Sequence, residues 1–165
     1  SLPLIVTNKN LLGDRLRFTL AYELGHLLMH LYTSPAYDRD LSHEANLFAA
    51  ELLMPERDIK GDLQDLSLPK LGDLKRKWKV SMQSLVYRAA DLELLSDNQK
   101  RYLLQQFNNQ NIRRREPKEL DVPIEQYRLV RDLLTNYRTK QKLSVAKMAS
   151  FLHLEQNDFL ERYNF

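Results

Sequence analysis

Two apolar stretches constrain this chain more than anything else in it. Between Asp14 and Leu31, residues Leu16, Leu20, Leu24, Leu27, Leu28 and Leu31 recur at three- and four-residue spacing. That period predicts a helix, with Asp14 as its N-cap. A second helix is predicted from Ser42, read as its cap, through Leu53, and Pro55 stops it. Ala45, Ala49 and Ala50 keep the second helix thin, so another helix axis can come close. Both segments carry too many apolar positions for a surface helix. They must pack on each other within a core.

The rest of the chain reads as mostly α, with a small β-element at the N-terminus. Residues 3–7 (Pro-Leu-Ile-Val-Thr) have the β-branched, apolar character of a short strand. Such a strand pairs with a distant segment or belongs to a larger sheet that begins before Ser1, because its backbone groups need partners. A loop is expected over residues 32–40, around Pro35. Further helices are expected from Pro55 to about Gly61, Pro69 to Lys79, Ser81 to Leu94 and Asp97 to Gln106, then from Ile124 to Tyr137, Val145 to Leu152 and Glu155 to Tyr163. Trp78 and Tyr87 are expected in the core between the later helices. Polar residues 108–111 and the run Arg113-Arg114-Arg115-Glu116-Pro117 break the helical pattern. This divides the chain into a domain over 1–110, a linker over 111–123 and a helical C-terminal region over 124–165.

Of 165 residues, 43% are hydrophobic and 28% charged, and none is cysteine. Disordered, collagen-like and disulfide-stapled chains are excluded. No apolar run approaches the roughly 20 residues that span a bilayer, and no secretory signal is visible. A cytoplasmic protein is expected. Residues 1–65 carry 6 Lys and Arg against 10 Asp and Glu, whereas residues 66–165 carry 19 against 12. The basic back half suits either a solvated helical surface or electrostatic contact with nucleic acid. Arg113, Arg114 and Arg115 are the candidate phosphate contacts. The segment from Lys142 to Leu152 has a helix-turn-helix flavour, without a recognition helix rich in Arg, Asn or Gln.

The stretch Arg17-Phe18-Thr19-Leu20-Ala21-Tyr22-Glu23-Leu24-Gly25-His26, followed by Glu44-Ala45-Asn46-Leu47-Phe48-Ala49-Ala50-Glu51-Leu52-Leu53-Met54-Pro55, resembles the ImmA/IrrE family of zinc-dependent peptidases. The match covers residues 11–55, and Val80 to Arg88 is similar to the family's next segment. The resemblance implies a zincin-like helical core within an α+β fold and a bacterial or phage regulatory setting. It implies two histidines at i and i+4 on one helical face, a Glu between them as general base, and a carboxylate from the second helix. Family members with an intact site act on helix-turn-helix repressors.

This sequence departs from that pattern. Tyr22 stands where the first ligand should be His, and a neutral phenol with pKa near 10 is a poor zinc ligand. Glu23, the general base, and His26, the second ligand, are retained. The third slot, four residues before Asn46, falls on Ser42. Glu44 lies two residues on, about 200° around the helix, and is expected to point largely away. His26 and His30 share i, i+4 spacing and offer a relocated pair with Glu44 or His43. Without a bound metal, Glu23 reads as a remnant carboxylate hydrogen-bonded to Tyr22 or His26. Glu51 reads as a salt-bridge or solvent-facing residue, and Arg15 and Arg17 as partners of Asp14 or of second-helix carboxylates.

Three functions remain open on the sequence. The first is a peptidase-fold domain with a degraded zinc site, docking a protein or peptide, such as a helix-turn-helix regulator, in transcriptional control. The second is an active zinc endopeptidase with unusual ligands. The third is a basic nucleic-acid-binding regulator.

Overall fold

The structure, a computed structural model, describes residues 3–31, 39–125 and 128–163. It divides into two compact units, Ser1–Ile124 and Glu125–Phe165. Among the described residues there are nine α-helices and no strand.

The first unit holds α1 (Gly13–Met29), α2 (Leu41–Leu53), α3 (Glu56–Ile59), α4 (Leu68–Trp78), α5 (Met82–Asp91) and α6 (Asp97–Asn109), then a 3-10 turn at Lys118–Leu120. Side-chain caps start most of these helices by accepting otherwise unpaired N–H groups. Ser67 accepts from Lys70 N–H and Ser81 from Ser84 N–H, and Ser96 and Gln99 form a reciprocal capping box. Met54, Ile59, Leu63, Leu71, Val80, Leu85, Val86 and Phe107 are fully buried and form the core. The sequence periodicity placed these helices to within a few residues, and α1 and α2 pack along each other as expected.

Several expectations fail for identifiable reasons. Residues 3–8 form no strand, and Leu4 and Val6 are exposed, because no described segment offers an edge to pair with. The cap of α2 is Asp40, whose carboxylate accepts from His43 N–H at 2.9 Å, and Ser42 lies inside the helix. The loop expected over 32–40 lies largely outside the described residues. Asp14 is not a cap: it sits in the first turn of α1, buried. Gly13 precedes it because the backbone of Val122–Pro123 runs against that position. Its N–H donates to the Val122 carbonyl at 3.0 Å, and a Cβ there would come within 2.3 Å of the Pro123 carbonyl oxygen. Tyr87 is not core. It is exposed, with the Lys100 ammonium 4.8 Å from its ring centre, whereas Trp78 is half-buried and its indole donates to Asp62.

Residues 111–123, expected to be a linker, are packed into the first unit with Glu116, Leu120 and Val122 buried. An ion cluster explains it. Lys75 Nζ lies 2.6 Å from Asp14 Oδ2 and 2.6 Å from Glu116 Oε2, and all three side chains are at most 5% exposed. Glu116 Oε1 accepts the first N–H of α5, from Met82, at 2.8 Å. The two carboxylates lie at the N-terminal ends of α1 and α5, where the helix dipoles favour negative charge. One ammonium thus joins α1, α4, the start of α5 and the 111–116 segment.

The second unit contains α7 (Leu129–Gln141), α8 (Val145–Phe151) and α9 (Gln156–Tyr163). Met148, Ala149 and Phe159 form its centre, with Leu134, Leu143, Val145, Leu154 and Tyr163 packed around them. Ser144 caps α8 by accepting from Lys147 N–H. The α8–α9 connection turns through His153 in the left-handed region, at φ 54°. Within 155–163, Glu155, Asp158 and Glu161 outnumber the single Arg162, which disfavours phosphate contact along α9.

Replacing Lys75 with Met is predicted to destabilise the first unit by about 3–5 kcal/mol, because two buried carboxylates lose their counter-charge. Urea unfolding measures this. A loss below about 1 kcal/mol would contradict the cluster's role. Phe159→Ala is predicted to lower the stability of the second unit by about 3–5 kcal/mol, read from the near-ultraviolet signal of its tyrosines on heating.

Candidate functional site

The site is built on the antiparallel contact of α1 and α2. Gly25 is buried there, and a Cβ at that position would sit 3.0 Å from the Phe48 ring. This close approach brings the C-terminal end of α1 to the N-terminal turn of α2.

Tyr22, His26 and His30 follow one another at four-residue intervals along α1. The Tyr22 and His26 rings meet edge to face with centres 4.6 Å apart. His26 Nδ1 lies 2.9 Å from His30 Nδ1, and His30 Nε2 lies 3.2 Å from Glu44 Oε2. The carboxylate orders this relay. With Glu44 accepting, a neutral His30 donates from Nε2 and accepts at Nδ1. His26 then donates from Nδ1 and keeps its Nε2 lone pair.

Glu44 is held from the other side by Arg39, whose Nε donates to Oε1 at 2.8 Å while a second guanidinium nitrogen donates to Oε2. The Arg39 hydrogen bonds, then that from His30, hold the Glu44 carboxyl at about 2, below its usual 4.5. The same contact raises the Arg39 guanidinium above its ordinary value. Glu44, rather than Ser42, is thus the α2 side chain that reaches α1. Ser42 is exposed, and its backbone carbonyl accepts from the Asn46 side chain. The angular separation of the two residues holds, since both lie within α2, but it is Glu44 and not Ser42 that occupies the face turned to α1.

Glu23 is half-buried on α1 and hydrogen-bonds neither Tyr22 nor His26. His43 is exposed in the first turn of α2. Glu51 forms an ion pair with the buried Arg88, whose Nε also donates to the Met54 carbonyl at 3.1 Å. Among the described residues, no three His, Cys, Asp or Glu side chains are arranged to hold a metal ion.

A cavity of about 1340 Å³ opens elsewhere in the first unit, lined by residues of α1, α2, α5 and α6 and by the 111–116 segment. Arg113 and Arg114 line it, but Arg115 does not: both its terminal nitrogens bind the Asp121 carboxylate. The three-arginine run is therefore split. That contact lowers the Asp121 carboxyl below its ordinary value and raises Arg115. Tyr22, Glu23 and His26 do not line the cavity.

Sequence reasoning missed Arg39 and Lys75. Arg39 carried no signal, because it precedes α2 and belongs to no helical pattern. Lys75 did carry one: it falls on the face of α4 defined by Leu71 and Trp78, where a cation needs a buried partner.

The profile of the Peptidase_M78 family, the IrrE N-terminal-like domain, matches residues 2–90. The chain belongs to this family. No curated protein and no solved structure matches it.

The depressed Glu44 carboxyl fixes a pH dependence. Its stabilising contacts are fully present above about 4.5 and are lost as pH falls through that range toward about 2. Carboxyl ¹³C titration of Glu44 should show a midpoint near 2, and Arg39→Ala should raise it toward the ordinary carboxylate range. An unchanged midpoint in the variant would contradict the Arg39 contact.

Proposed function

We propose that this chain is a peptidase-fold domain whose zinc site has degraded, and that it works by binding a protein partner in transcriptional control. The observation that carries this reading is the donor set on α1 and α2. The family's zinc chemistry needs three protein ligands and an activated water. Here His26 offers one free lone pair, and Tyr22 offers a phenol in place of an imidazole. Glu44 is engaged by Arg39 and His30. These residues do not fit a catalytic zinc. Glu23 then has no polarised water to deprotonate, and the scaffold keeps the family's helix pair without its reaction.

The relocated ligand set of His26, His30 and Glu44 is the second reading, favoured by their mutual proximity. Direct hydrogen bonds at 2.9 and 3.2 Å weigh against it, because they occupy the lone pairs an ion would need.

Metal content of the purified, untagged protein tests the proposal. Much less than one zinc per chain is expected for the native sequence, and Tyr22→His with Arg39→Ala, which restores the imidazole and frees Glu44, should raise zinc content. Near one zinc per native chain would overturn the reading.

A further inference from the structure

We propose that the cavity beside α1 and α2 is a docking site for an acidic peptide segment of a partner protein, with Arg15, Arg113 and Arg114 gripping its carboxylates. This rests on the reading of the domain as a binding module and names the chemistry of its partner.

The cavity concentrates positive charge that the protein does not neutralise. Arg39, Arg88 and Arg115 each bind a carboxylate. Arg15, Arg113 and Arg114 line the cavity, and none has a carboxylate within ion-pair distance among the described residues. Arg15 Nη2 donates to the Arg114 backbone carbonyl at 2.6 Å, and Arg113 reaches only the Asn108 side-chain oxygen, at 3.4 Å. Two carboxylates also line the space. Glu116 is committed to Lys75 and Met82, which leaves Asp91 alone against three guanidiniums. Holding like charges together costs free energy that a bound anion recovers, and the planar guanidinium fork matches carboxylates in particular.

Size and lining favour a peptide over a small anion. At about 1340 Å³ the cavity exceeds the roughly 300–1,000 Å³ typical of small-molecule sites. Phe18 and Leu47, on adjoining helices, give apolar contact for side chains between the acidic ones. The backbone that carries these arginines is also held in place. The segment carrying Arg113 and Arg114 is anchored by the buried Glu116, and Arg15 follows the buried Asp14, so one ion cluster sets both walls. Less ordering is then needed when the peptide binds.

Fluorescence anisotropy tests this with a labelled peptide of about eight alternating Glu and Leu residues, a Gln-for-Glu version, and a labelled oligothymidylate of similar length. Saturable binding of the acidic peptide is expected, weaker by about ten-fold or more for the Gln version, and weakening with added salt. Arg113→Gln with Arg114→Gln should weaken it by about ten-fold or more, whereas Arg76→Gln, on the exposed face of α4, should leave it unchanged. Circular dichroism confirms that each variant is folded. Equal binding of the two peptides, no effect of the arginine pair, or preference for the oligonucleotide would each overturn the proposal. Each measurement is repeated with chelator and with equimolar zinc. Loss of binding in chelator, or cleavage of the peptide with zinc, would overturn the binding-module reading instead, while the arginine dependence would still report on the cavity.

Discussion

The first unit depends on a single buried ammonium. Lys75 is 1% exposed and faces two carboxylates that belong to opposite ends of the sequence of that unit. Removing a charge from water is expensive unless its partners come with it, so the three groups are buried together or not at all. That condition ties the first turn of α1 and the segment after α6 to α4. It also sets the start of α5, whose first N–H is taken by Glu116. A segment rich in arginine and ending in proline, which composition alone reads as a linker, thereby becomes a wall of the domain.

The two candidate sites sit on the same scaffold and differ in how their charges are settled. At the α1–α2 contact, Arg39 and His30 both bind Glu44, and the negative charge the family would offer to a metal is spent within the protein. Around the cavity the balance runs the other way: guanidiniums gather without carboxylates. One face of the helix pair thus carries a carboxylate settled by neighbouring donors, and the cavity carries guanidiniums without carboxylates. His26 joins the Glu44 network through its Nδ1, 2.9 Å from the Nδ1 of His30.

The helices were legible because their signals are local. Leucine spacing in α1, alanines in α2, serines at the starts of α5 and α8, and prolines near helix ends all act within a few residues, whereas the serine caps of α4 and α6 were not read from the sequence. The family resemblance was legible for the same reason, since it rests on contiguous stretches. What the sequence hid are interactions across long separations. Asp14 looked like a cap because the pairing with Lys75 spans 61 residues. Ser42 looked like the ligand slot and Glu44 like a misdirected neighbour because which face of α2 meets α1 is set by packing between the helices, which local spacing does not show. The N-terminal strand was read from β-branched composition alone, and no described segment supplies the partner it needs. Arg113, Arg114 and Arg115 looked equivalent in sequence and are separated only by the Asp121 carboxylate.

The most direct test of the central claim is nitrogen-15 NMR of the His26 and His30 imidazoles during titration with zinc. The account predicts that the ring resonances keep their positions at one equivalent of zinc, because a lone histidine cannot hold the ion against solvent. A saturating shift of the His26 Nε2 resonance at one equivalent, accompanied by release of Glu44 from Arg39, would contradict it.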